Sequence, residues 1–236
     1  MHIHTDRYLL PRLRTGPRIG RSTTVEPMAE GQRIGRPLAA DSARTRQRIL
    51  DVARQLFAVR GYESTSNRMI AEEAGLTTGA IYYYFDKKLD IFAAVHADAQ
   101  RIVFERFDAS VDGLDTFVER LRAVLECAHD LNNEDPSIAQ FLGSCRVDAA
   151  RDATVAAAIA QNRPGRQGSF FNDLIAFGIN SGEIDEDQRD VLSALLRTIT
   201  IGLNDAVSGD RTRHRNAING IMGLVEGRLV RVPDHT

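Results

Sequence analysis

From Thr45 onward, apolar residues recur every three or four positions, and no stretch alternates with the period of two expected of a half-buried strand. The spacing predicts a first helix over 44–60. Ile49, Val52, Ala53, Leu56 and Phe57 share its inner face, and Asp51, Arg54 and Ala58 fall on the other. Gly61 closes it as the glycine just past a helix end. A second helix is expected over 67–74 with Ser66 as its N-cap, and a third over 78–84 with Thr77 as its N-cap. A long helix over 88–109 comes next, then amphipathic stretches at 113–131, 137–150, 152–162, 167–180, 187–208 and 213–226. Asp112-Gly113, Asn132-Asn133 with Pro136, Pro164-Gly165, Ser181-Gly182 and Ser208-Gly209 mark the breaks. The chain reads as all-α, with about nine to ten helices. A small three-helix unit precedes a larger helical body, and no internal repeat is visible.

Composition narrows the possible functions. The 236 residues carry 30 basic and 32 acidic side chains, so any nucleic-acid surface must be a local patch. Residues 1–40 stand apart, with Pro11, Pro17, Pro27 and Pro37 and seven arginines against three acids. They read as a disordered basic arm, which could strengthen DNA contact without sequence preference, or as a product of a mis-set start with Met28 the true first residue. The expected division is this arm over 1–40, a small three-helix unit over 41–88 and a larger helical body over 89–236.

Cys127 and Cys145 lack the paired spacing of a zinc cluster and read as small buried hydrophobes in a reduced, cytoplasmic protein. No apolar run is long enough to span a membrane. Nothing resembles a phosphate-binding loop, a nucleophile elbow or a His-Glu metal pair, so no catalytic residue, metal or cofactor is expected. His2 and His4 in the tail read as incidental.

Residues 70–84 carry the functional signal. Two short helices stand three residues apart with Gly75 at the corner, where the turn demands a positive φ, and Ala71 is small enough for close helix approach. Ile70, Ala74, Leu76, Ile81 and Phe85 would lock the pair onto the first helix. This is the pattern of a helix-turn-helix. Advancing about 100° per residue from Ile81 puts Tyr84 and Phe85 inward, Gly79, Ala80 and Tyr83 outward and Tyr82 at the flank. The outward face holds no cation, so base reading there would rest on van der Waals contact and hydroxyls. Arg68 is the candidate for a guanine contact, with a plain solubilising arginine as the alternative. Thr77, Thr78 and Lys88 are expected to meet phosphates.

Residues 45–95 resemble the DNA-binding domain of the tetracycline-repressor (TetR) family. The matching residues are Ile49 to Ala53 with Leu56-Phe57, Gly61-Tyr62-Glu63, Ile70-Ala71, Ala74-Gly75, Gly79, Tyr82, Tyr84-Phe85 and Lys88. A Gly178-x₃-Gly182-Glu183 stretch also occurs often in such proteins. Asn67 departs from the small residue usual at its place and is a candidate extra DNA contact; Leu89 stands where an acid often follows the lysine. The resemblance implies a homodimer on a palindromic operator, released by a small molecule held in the C-terminal body. An all-α small-molecule carrier, or a regulator without a ligand, is the alternative.

The body itself is less specific. The 187–208 helix is apolar on more than one face, which suits a core on one side and a partner subunit on the other. Gly220, Gly223 and Gly227 along 213–226 and just beyond would permit close approach of another helix, so the dimer is expected through these two segments. Candidate ligand contacts are Phe104, Phe107, His129, Phe141, Arg146, Phe171, Asn172 and Phe177. His96 reads as a surface or packing histidine.

Overall fold

A computed structural model of the chain describes residues 35–161, 165–205 and 210–229, and all regular structure among them is helical. The tail read as a basic arm lies outside the described residues up to position 34. The helices are α1 (Gly35–Arg60), α2 (Asn67–Glu73), α3 (Thr78–Tyr84), α4 (Lys88–Val111), α5 (Phe117–Glu134), α6 (Pro136–Arg151), α7 (Ala153–Gln161), α8 (Gly165–Asn180), α9 (Arg189–Asp205) and α10 (Arg211–Val225). A single 3-10 turn, Glu186–Gln188, precedes α9.

Several boundaries differ from expectation, α5 starting at Phe117 instead of 113 and α9 starting at Arg189 instead of 187. α1 begins well before residue 44, and α5 runs through Asn132-Asn133 to Glu134. The break falls one step later. Asp135 takes the N-cap of α6, its carboxylate accepting from Ser137 N, and Pro136 fills the first turn, where its missing N–H costs nothing.

The helix-turn-helix forms through local capping. Ser66 accepts from Met69 N at 3.2 Å, and Thr77 accepts from Ala80 N at 3.1 Å. Between them α2 closes on Gly75 at φ 64. Leu76 N donates to Ala71 O at 2.8 Å and Gly75 N to Glu72 O at 3.1 Å, the paired bonds that satisfy the last carbonyls of a helix. Ile70, Ala71, Ala74 and Ile81 are at most 2% exposed, which fixes the α2–α3 pair to Ile49, Ala53 and Phe57 of α1. That core runs on without a seam into α4, α6 and α7, where Phe92, Phe141, Val155 and Ile159 join it.

One polar cluster crosses this junction. Arg54 was expected on the solvent side of α1, yet it is 5% exposed. Its Nη2 donates to Asp135 at 2.7 Å, Nη1 to Asp51 at 3.2 Å and Nε to the Ser137 hydroxyl at 3.1 Å. Asp98 of α4 lies 4.0 Å from Nη1 and accepts from Gln47 at 3.0 Å and Arg101 at 2.7 Å. A buried guanidinium persists only when its fork of donors is matched by acceptors. Here those acceptors come from α1 itself, α4 and the α5–α6 corner.

A second core holds the rest of the body, around Phe104, Phe107, Leu121, Leu125, Phe170, Leu174, Leu196, Ile218 and Met222. The Gly178–Glu183 stretch joins α8 to α5. A Cβ on Gly178 would crowd Ile184 and stand 3.1 Å from Phe117, and Glu183 accepts from Phe117 N at 2.7 Å. That N–H holds the Glu183 carboxyl below its usual range.

The glycines of α10 do not form one stripe. Gly227 ends the helix at φ 65, and Leu229 packs at 3.3 Å from where a Gly223 Cβ would stand. Gly220 alone of the three remains open along the helix itself.

Arg54→Met should leave Asp98 and Asp135 without their shared cation. We expect a loss of about 3 kcal/mol, the cost of uncovering a buried ion pair, measured by urea unfolding.

Candidate functional site

The α3 face matches its sequence reading. Tyr82 and Tyr83 are 54% and 80% exposed, whereas Ile81 and Phe85 are buried. Tyr84 packs partly against the core, and the Tyr83 ring meets it edge-on at 5.0 Å. Thr77, Thr78 and Gly79 are exposed beside them, and Ala80 is half-buried. The result is a short ridge of small residues and hydroxyls with two exposed phenols, that of Tyr83 the further out, a shape able to enter a groove.

The flanking residues are placed differently. Arg68 is exposed and held along α2 by Glu72, with Nε donating at 2.8 Å. Asn67 is half-buried, and its Oδ1 has no hydrogen-bond partner among the described residues. Lys88 is engaged within the protein. Its Nζ donates to Tyr62 O at 2.7 Å and Glu63 O at 3.3 Å and lies 4.1 Å from the Tyr62 ring centre. In this position the lysine ties the α1–α2 loop to the start of α4.

Inside the body lies a cavity of about 490 Å³ bounded by α4, α5, α6, α7, α8 and α9. Of the expected ligand contacts, Phe104, Phe107, Arg146, Phe171 and Asn172 line it. Three do not. Phe141 is fully buried in the other core, with its ring 5.3 Å from Phe92 and 6.2 Å from Phe57. Phe177 lies under the Arg120 guanidinium at 3.4 Å. His129 faces His214 of α10, with 3.2 Å between the Nδ1 atoms.

His96, read as a simple surface or packing residue, lines the cavity, as do Gln100, Asn132, Asp135 and Arg197. The α4 members were detectable. His96, Gln100, Phe104 and Phe107 fall at spacings of four, four and three, one stripe of the helix. Asn132 was hidden because Asn132-Asn133 looked like a break.

Cys127 and Cys145 are free and buried, and burial raises both thiols above their ordinary range. They are small packing residues, as expected.

The His129–His214 pair generates a pH dependence. Burial lowers both imidazoles, helped by Arg215 at His129 and by His129 itself at His214; Asp130 and Glu126 oppose this at His129, and Arg211 adds to it. Only one Nδ1 can donate across the contact, so one ring must remain neutral. The native state therefore binds fewer protons than the unfolded chain. The pair's contribution is complete above 6.5, the ordinary histidine value, and shrinks as pH falls below it. The melting midpoint should drop between about pH 7 and pH 5, and His214→Phe should make that drop shallower.

Comparison with known proteins agrees with this geometry. Residues 49–95 match the sequence model of "Bacterial regulatory proteins, tetR family". The chain is 24% identical over 187 residues to the HTH-type transcriptional regulator UidR of Escherichia coli strain K12, covering 78% of this chain and 93% of that protein. It is 45% identical over 62 residues to the HTH-type transcriptional regulator AcrR of Shigella flexneri, covering 26% and 29% of the two chains. Its fold is similar to that of the transcriptional regulator FadR from Bacillus subtilis, solved in complex with stearoyl-CoA. The TM-score is 0.64 at 20% identity, covering 78% of this chain and 99% of that one. With a capped helix-turn-helix, an exposed α3 and a helical body around a cavity, the chain carries a tetR-family helix-turn-helix domain over residues 49–95 and is similar along most of its length to a helix-turn-helix transcriptional regulator.

Proposed function

We propose that the protein is a cytoplasmic repressor that binds a palindromic operator as a homodimer and leaves it when a small hydrophobic molecule fills the cavity of the body. The observation that carries this reading is the Arg54 cluster. Asp135 lines the cavity and also holds Arg54 of α1, the helix against which the reading unit packs. Filling the cavity and presenting α3 thus share a residue.

The assignments follow from placement. Tyr83, Tyr82, Gly79 and Ala80 are assigned to base edges, with Thr77 and Thr78 hydroxyls on phosphates. Arg68 reaches DNA only by leaving Glu72, and Asn67 is a secondary contact. Apolar side chains left exposed on α9 and α10, Val191, Leu195, Leu224 and Val225, support a partner subunit there. FadR of Bacillus subtilis, solved with stearoyl-CoA, supports a lipophilic ligand for this architecture.

The energetics suffice. Burying about 300 Å² of apolar ligand at about 25 cal/mol/Å² gives about 7 kcal/mol before costs. Reversing a two-state population needs about 5.5 kcal/mol of differential binding.

Fluorescence anisotropy with DNA from upstream of the protein's own gene, against scrambled DNA, tests the reading. Tyr83→Ala should weaken specific binding about ten-fold or more, since a good base contact contributes about 1–3 kcal/mol, and leave scrambled DNA unaffected. Equal weak binding to both DNAs by the parent protein would favour a small-molecule carrier.

A further inference from the structure

The cavity wall is mostly apolar, with Val103, Phe104, Leu125 and Leu142 among its residues, yet Asn132 of α5 stands in it. Asn132 is 4% exposed, and neither its Oδ1 nor its Nδ2 finds a hydrogen-bond partner among the described residues. A buried carboxamide unpaired at both ends is destabilising, so a position that keeps one calls for a functional account.

The chemistry of that group narrows its partner. A carboxamide offers one acceptor and a donor pair side by side. Its full complement is another uncharged group with a donor and an acceptor together. A carboxylate would satisfy Nδ2 but turn lone pairs toward Oδ1. Asp135, three residues on and so on the same side of the chain's course, also lines the cavity and would repel an anion. Two cations that could balance one, Arg146 and Arg197, line the cavity from other helices, α6 and α9, and Arg146 lies ten residues past Pro136, about 15 Å along α6.

We propose that the cavity takes an uncharged amphipathic molecule, with an apolar chain or ring system among the phenylalanines and a carboxamide-like group paired with Asn132. This deepens the ligand-release reading and rests on it. It also places the polar end of the ligand beside Asp135, the cavity residue that grips Arg54.

Titration of the full chain with decanamide and with decanoate, near neutral pH, tests it. Decanamide should bind about ten-fold tighter or more, the factor set by one good hydrogen-bonding group. Asn132→Leu should abolish that preference, and the unliganded variant should melt at or above the parent, because an unpaired carboxamide is removed. Tighter binding of decanoate, lost in Arg197→Ala, would overturn the proposal. So would failure of both amphiphiles to bind, or an Asn132→Leu variant that keeps the preference.

Operator anisotropy in the same titrations separates the two readings. Decanamide preference without operator release keeps the Asn132 assignment and removes ligand release. Release by decanoate alone does the reverse.

Discussion

A guanidinium buried at the junction of the two cores sets the terms for the rest of the molecule. Arg54 cannot be left unpaired, so α1, α4 and the α5–α6 corner must meet around it with their carboxylates in reach. The reading unit is consequently not a bead on a linker. Its apolar core runs from Ile70 and Ile81 through Phe57 to Phe92 and Phe141, and the ionic cluster lies alongside. A rearrangement at Asp135 has a short physical route to α1. An apolar contact would tolerate a small slide, but a charge-assisted fork at 2.7 Å holds a definite geometry.

The two ends of this arrangement differ in chemical character, and each suits its role. The α3 ridge is exposed, poor in charge and built from hydroxyls and small residues, with Arg68 beside it paired to Glu72 and Lys88 to two carbonyls. The cavity wall is mostly apolar, with the unpaired Asn132 carboxamide and the charged groups of Asp135, Arg146 and Arg197 set into it. Between them stands the buried charge cluster around Arg54.

What was legible in the sequence was local. The N-caps at Ser66 and Thr77, the turn at Gly75 and the outward phenol of Tyr83 each depend on residues within one helical turn, and each appears where the spacing predicts. The misreadings share a different cause. Arg54 was assigned outward because helical periodicity treats every charge as solvent-facing. Its ion pair with Asp135 spans 81 positions, which no periodicity encodes. Phe141 and His129 were assigned to the cavity by residue type, but type does not say which core a side chain joins. Phe141 completes an aromatic cluster with Phe57 and Phe92, and His129 meets His214 across 85 positions. Asn132 was passed over because an Asn pair beside a proline resembles a loop.

The central claim is that cavity and reading unit are coupled through the Asp135–Arg54 contact. The most direct measurement is the operator dissociation constant with and without saturating decanamide, in the parent and in Asp135→Asn. Removing the charge loosens the fork without removing the cavity. The account predicts a ratio of about ten or more in the parent, the lower range of allosteric coupling, and a ratio near one in the variant, with decanamide binding retained. An unchanged ratio in Asp135→Asn would contradict it and place the coupling elsewhere along α4.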